Sequence, residues 1–437
     1  MRRGDAGVTP KSVSQLVERT FGDVLHAKTA LSLAMAAVGV LNATALGIHA
    51  IGRGLATAKG LNSKHATKQV DRLLSNGKVN LWRLFRSWIA FVIGPRTDLV
   101  VAMDWTEFDA DDQATICLYL ITRHGRATPL VWQTVYKSTL EGNRNRREDE
   151  VLEALKESLA PGVRVMILAD RGFGDQKRYE FLRELGFDYT IRFRQDILVT
   201  DQWGKQRPAA QWLHESGRAR MLRNMAVTAD CYVVPAVVVV HDKRMKDAWC
   251  LATSRSDLSA AEITKLYGKR FTIEETFRDT KDIHFGMGLK ATHIGDSSRR
   301  DRLLLLAAVA HALLTLLGAA GERAGLDRLL KTNTSKKRQL SLYRQGCFWY
   351  DALPNMPDER LVPLLQAFDD TLGEHEVFRE MAENESTSRF WQARTHFADE
   401  LPVGARRSHR HHLLQGLLAA RQRDGRKPFR GSHRPLE

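Results

Sequence analysis

At Leu99 the apolar pattern changes from helical spacing to continuous runs, and that change constrains the fold more than any other feature of the chain. The segment L-V-V-A-M-D (99–104) is an unbroken apolar run ending on Asp104, the pattern of a buried strand. A-T-I-C-L-Y-L-I-T (114–122) and A-T-P-L-V-W-Q-T-V-Y (127–136) follow, joined through Arg123, His124, Gly125 and Arg126, which predicts a three-strand meander. Residues 145–159 carry Val151, Leu152, Leu155 and Leu159 at helical spacing and stop at Pro161-Gly162. V-R-V-M-I-L-A-D predicts a fourth strand ending on Asp170. K-R-Y-E-F-L-R-E-L-G predicts a helix stopped by Gly186, and D-Y-T-I-R-F-R a fifth strand. The order β-β-β-α-β-α-β predicts an α/β fold, a mixed sheet flanked by helices.

The two ends are basic. Residues 1–98 carry 14 Lys/Arg against 5 Asp/Glu and residues 405–437 carry 9 against 2, so residues 99–404 stand at −1 in a chain of net charge +15. A near-neutral centre between cationic ends suits an enzyme that holds a nucleic acid and works on it with acidic groups. A merely soluble basic protein is the alternative. Residues 12–93 read as helices throughout, with breaks at Gly60, Asn62, Asn76 and Gly77. After the Gly60-Leu61-Asn62 turn, a short helix with Ser63 as expected N-cap presents Lys64, Lys68 and Arg72 among few apolar residues. It is a candidate DNA-reading helix, or else a solvated linker. Residues 196–253 read as a small antiparallel sheet inserted into the main domain. The runs Leu31 to Gly52 and Leu303 to Gly318 are interrupted by polar residues or too short for a bilayer, and read as buried helices. Four scattered cysteines without a C-x-x-C pair argue against a zinc site and a disulfide framework and fit a reducing cytosol. M-R-R-G-D is followed by no apolar signal core, so no export is expected.

The stretch Y-G-K-R-F-T-I-E-E-T-F-R-D-T-K (267–281) predicts a helix. At 100° per residue, Arg270, Glu274 and Lys281 fall within about 60° of Tyr267, on one stripe. A carboxylate between two cations and a phenol suits an acidic group facing a phosphate-rich ligand, with ordinary helix salt bridges as the alternative. Asp104 and Asp170 each close an apolar strand, where a side chain emerges at the carboxyl edge of a sheet; a turn or cap role is the alternative. Two Asp and a Glu converging there would bind hard divalent cations through oxygen. Two such ions could activate a water or a 3′-hydroxyl and stabilise the leaving oxygen of an in-line phosphoryl transfer. Asp109, Asp111 and Asp112 read as a solvated loop, and Glu275 lies about 100° off the stripe.

The spacing Y-x2-R-x3-E-x6-K at Tyr267, Arg270, Glu274 and Lys281 resembles the signature of bacterial insertion-sequence transposases of the DDE type. That group includes the transposase of the kanamycin-resistance composite transposon. The resemblance extends to A-M-D-W-T at Asp104, A-D-R-G-F-G-D at Asp170 and W-C-L-A-T-S before the signature helix, over roughly residues 99–290. It implies an RNase H-like catalytic domain and a Mg²⁺-dependent triad of Asp104, Asp170 and Glu274, with Mn²⁺ as a substitute. It further implies that Tyr267, Arg270 and Lys281 hold DNA phosphates, that Trp249 stacks on a flipped base, and that Arg171 contacts phosphate or pairs with a carboxylate. The domain reading is residues 1–98 for binding DNA ends, 99–195 and 254–320 for the two parts of the catalytic domain, 196–253 for the β insertion, and 321–437 for a helical C-terminal region with a basic tail, a candidate for dimerisation. The expected partners are transposon-end and target duplexes, the expected state on DNA a homodimer, and the expected location the cytoplasm, at the nucleoid. A metal-dependent nuclease without strand transfer and a non-catalytic DNA-binding protein remain alternatives.

Overall fold

In a computed structural model, residues 9–374 are described, apart from Arg123, Arg244 and Phe285. The His-rich basic tail lies outside them. Five helices come first: α1 (Pro10–Phe21), α2 (Ala27–Ala43), α3 (Ile48–Lys59), α4 (Ser63–Leu74) and α5 (Leu81–Ile93). α2 and α3 meet at 96°, and glycine permits their contact. A Cβ at Gly54 would lie 2.4 Å from the Gly39 carbonyl oxygen, and one at Gly39 would lie 2.6 Å from that of Ile51. α4 begins where expected, but Asn62 rather than Ser63 is its cap: the Asn62 amide oxygen accepts from the backbone N–H groups of Lys64 (2.9 Å) and His65 (3.3 Å).

The sheet and its helices then run β1 (Asp98–Phe108), β2 (Gln113–Ile121), β3 (Ala127–Tyr136), α6 (Arg144–Ser158), β4 (Arg164–Ala169), α7 (Gln176–Glu184), β5 (Asp188–Phe193), β6 (Leu198–Thr200), β7 (Gln206–Pro208), β8 (Arg220–Val227), β9 (Tyr232–Val240) and β10 (Trp249–Thr253). There follow α8 (Ala260–Gly268), α9 (Thr272–Lys281), α10 (Ser297–Arg323), α11 (Leu342–Ala352) and α12 (Asp358–Glu374). The strand order is β3-β2-β1-β4-β5-β10-β9-β8-β6-β7. β1, β4 and β5 are parallel and their other neighbours antiparallel. This mixed sheet with flanking helices fits an RNase H-like α/β fold.

Two sequence expectations change here. The strands of 196–253 do not make a sheet of their own; β10 pairs with β5, and β9, β8, β6 and β7 extend the same ten-stranded sheet. β5 would otherwise present an open edge, and the wholly buried Cys250–Thr253 run of β10 covers it. Asp104 also does not end its strand. β1 continues to Phe108 against β2, and only its parallel pairing with β4 stops, at Met103↔Ala169.

α10 is the spine. Its Leu303–Gly318 stretch is buried, and although the helix is long and apolar enough to cross a bilayer, 94% of its apolar window lies inside the fold. At one end Arg302 donates to the Leu74 (2.7 Å) and Val79 (3.2 Å) carbonyls and Arg299 pairs with Asp71, tying α10 to α4. At the other, Gly346 of α11 comes so close that a Cβ would lie 1.7 Å from the Leu314 carbonyl oxygen. The helical N-terminus joins the sheet directly: Trp88 donates to the Pro129 carbonyl at 2.8 Å and Phe85 packs edge-on against Trp132.

Candidate active site

Register brings the two aspartates together. Asp104 and Asp170 are the next residues after the paired Met103 and Ala169 on adjacent parallel strands. Side-chain alternation turns both toward the face where Val100, Met166 and Leu168 pack on Leu266 of α8. Asp104 is largely buried, its Oδ1 accepting from the Trp105 backbone N–H (2.9 Å) and its Oδ2 from Arg270 (3.0 Å). Burial pushes its carboxyl up to about 6, with the neighbouring charges of Asp170 and Glu274 adding to the rise and Arg270 opposing it. Asp170 caps the turn that follows it, accepting from the Gly172 N–H at 2.8 Å.

The signature stretch is not one helix. Gly268 weakens α8 at its end, a 3₁₀ turn spans Lys269–Phe271, and α9 starts at Thr272. Each residue of a 3₁₀ turn advances about 20° more than in an α-helix, so the stripe rotates between Tyr267 and Glu274. Tyr267 turns inward, 1% exposed, with its phenol pushed up to about 12 by burial. Arg270 is also buried, and its guanidinium bridges the acids, donating to Asp104 and, at 3.0 Å, to Glu274. Lys281 donates to Thr106 Oγ1 (2.9 Å) and the Glu107 carbonyl (2.8 Å), so it holds β1 against α9. Burial lowers its pKa. Glu274 remains half exposed, whereas Glu275 pairs with Arg278 (2.5 Å) and Arg126 (3.8 Å).

Arg270 thus bridges Asp104 and Glu274 at the strand end that Asp170 follows on the neighbouring parallel strand. The profile of the transposase DDE domain matches residues 95–313, half of the chain. The chain belongs to the DDE transposase family. The sequence matches no curated protein. Membership makes DNA the substrate of this transposase and makes it an enzyme of DNA transposition and recombination. DDE transposases generally use divalent metals. The donor set here, carboxylate oxygens only, suits a hard cation. The placement is less complete: among the described residues no three acidic, His or Cys side chains stand in a metal-holding group, and Arg270 lies between Asp104 and Glu274.

The remaining sequence candidates divide. Trp249 is half-buried at the start of β10, edge-on to Tyr267 of α8 (5.0 Å) and tilted against the exposed Phe271 of the 3₁₀ turn (5.9 Å). Arg171 is exposed directly after Asp170. Lys64, Lys68 and Arg72 are exposed on α4. Two residues went unnoticed in the sequence. Glu148 of α6, 2% exposed, accepts from the Trp105 indole (2.8 Å) and Arg178 (2.8 Å), and Arg178 also pairs with Asp149. Asp279 of α9, equally buried, is held by Arg126 and by Arg344 of α11. The signal for both is an acidic residue on the buried face of its helix, masked here by the charges around it.

Proposed function

We propose that this transposase is an insertion-sequence enzyme of the Y-x2-R-x3-E-x6-K group, similar to the transposase of the kanamycin-resistance composite transposon. In this reading it binds terminal inverted repeats, cuts the 3′ strand and joins the freed end to target DNA. The observation that supports the reading is that Arg270 bridges Asp104 and Glu274 at the strand end beside Asp170. Asp104, Asp170 and Glu274 would hold Mg²⁺ or Mn²⁺, and such ions, when bound, supply Lewis-acid stabilisation of a phosphoryl transfer and a more acidic water.

The chain's own residues do the rest. Arg270 gives up a carboxylate as DNA enters and turns its guanidinium to a phosphate, exchanging one charge-assisted bond for another. Asp104 must be unprotonated to act as a ligand, which its raised pKa permits above about pH 6. Lys281 keeps the β1 end fixed against α9 while water forms the new P–O bond and the 3′-oxygen leaves with a proton. The freed 3′-hydroxyl is the nucleophile of the joining step. Lys64, Lys68 and Arg72 supply end recognition, Trp249 stacks on an extruded base, Arg171 contacts the strand beside Asp170, and two copies pair two ends in the cytoplasm, at the nucleoid.

Incubating the protein with its element's end DNA and Mg²⁺ and sizing the products tests this. Hydrolysed ends together with strand-transfer products are expected, and hydrolysis alone identifies a nuclease. Asp104→Ala and Asp170→Ala should abolish cleavage yet keep end binding; normal cleavage by either removes the triad assignment.

A further inference from the structure

The signature cations commit their donors inside the protein, Arg270 to Asp104 and Glu274 and Lys281 to β1. Arg270 alone turns to a phosphate as DNA enters, so a strand lying along the carboxyl edge of the sheet calls for further cations that already face outward there. We propose that Arg144, in the first turn of α6, grips a backbone phosphate of the DNA strand that passes Asp104, with Glu148 as the positioning residue that aims it. This rests on the transposase reading of the site.

Topology puts α6 in the right place. β1 and β3 are both antiparallel to β2 and hence run the same way, so the chain leaving Tyr136 starts α6 at the edge where Asp104 and Asp170 stand. Alternation turns Trp105 to the opposite face from Asp104, toward α6, where its indole donates to Glu148 Oε1. The Arg144 guanidinium carbon lies 5.0 Å from the centre of the Trp105 ring, and its Nε is 3.4 Å from the same Glu148 oxygen. The stack and the carboxylate restrain the guanidinium plane, yet half of the Arg144 side chain is open to solvent while that of Glu148 is 3% exposed. A planar fork restrained on an aromatic ring with an outward edge suits bidentate binding of a phosphate.

Glu148 is itself fixed. Its second oxygen accepts from Arg178 of α7, the helix that follows the Asp170 turn. One buried carboxylate thus ties together the strand end of Asp104, the helix after Asp170 and the outward guanidinium. Arg171, exposed beside Asp170, adds positive charge to the same edge, complementary to a polyanionic strand.

The test uses the full chain, a labelled duplex carrying the element's end, and binding measured across a salt series, with phosphate-ethylation interference to map contacts. Arg144→Ala should shallow the slope of log affinity against log salt by about 0.9. It should also erase interference at one phosphate next to the scissile bond and leave the others. Arg144→Gln, which keeps the helix and a polar contact to Glu148, carries the same expectation should the alanine variant fail to fold. Arg144→Lys should restore the slope. An unchanged slope overturns the proposal, and so does a shallower slope with every interference position retained, because the charge would then act without touching the strand. Failure of the wild-type chain to bind the end duplex at all would instead remove the end-binding reading, so the two failures are distinguishable.

Discussion

Replacing Asp279 with Asn changes one buried charge and almost no volume. Asp279 sits on α9, five residues after Glu274, and its two oxygens are taken by Arg126 and Arg344. Its own side chain is 2% exposed, that of Arg126 11% and that of Arg344 32%. Removing one partner from a buried ion pair costs about 3–5 kcal/mol, because the charge left behind stays desolvated. Solvent screens part of the Arg344 interaction, so Asp279→Asn should cost about 3 kcal/mol, the low end of that range. Urea unfolding followed by circular dichroism reads this as a lower midpoint at unchanged slope. Adding Arg344→Met, which deletes a stranded cation, should recover roughly 1 kcal/mol. A single variant within about 0.5 kcal/mol of the wild type, the range of ordinary surface substitutions, would refute the claim that α11 holds the signature helix through this carboxylate.

Three further outcomes are expected. Glu274→Gln should lose cleavage while Glu275→Gln, which loosens contacts to Arg126 and Arg278, keeps substantial activity in the same product assay; the reverse would assign the acid to Glu275. Substituting Lys64, Lys68 and Arg72 together with Ala should shallow the salt slope of end binding by roughly 2–3, and an unchanged slope would make α4 a structural helix only. Burial lowers the His311 imidazole to about 4. The unfolded chain therefore takes up a proton between about pH 6.5 and 4 that the folded protein refuses, and stability falls as pH falls through that window. His311→Phe, which keeps a ring against Tyr343 at the present 4.4 Å stack, should flatten the acid limb by about 1.4 kcal/mol per pH unit.

The strands carrying Asp104 and Asp170 were legible because a strand buried on both faces must be apolar at every position, and few other elements look like that. Their adjacency was not, since it depends on the Met103↔Ala169 pairing of segments about sixty residues apart. Glu274 was legible as the acid of its stripe, but the 3₁₀ turn at Lys269–Phe271 was not. A single Gly268 permits such a turn without requiring it. The Asp104 partner of Arg270 and the Thr106 partner of Lys281 lie 166 and 175 residues away, a distance at which local pattern says nothing about pairing. The same limit hid the joining of β10 to β5, because an apolar strand fits an inserted sheet as well as the main one.

The direct bonding of α4 to α10, and of α10 to the sheet through Trp132, whose indole donates to the Asp301 carbonyl at 3.2 Å, has a geometric consequence. Between the exposed face of α4 and the strand end of Asp104 there is a packed helix and a sheet, with no linker on that route. Such a frame is a ruler. If α4 reads the terminal repeat, the distance along the DNA from the bound bases to the broken phosphodiester is set by the protein's own dimensions. Moving the recognised sequence by one base pair should carry the cut with it, and adding base pairs between them should abolish cutting rather than stretch the enzyme to follow.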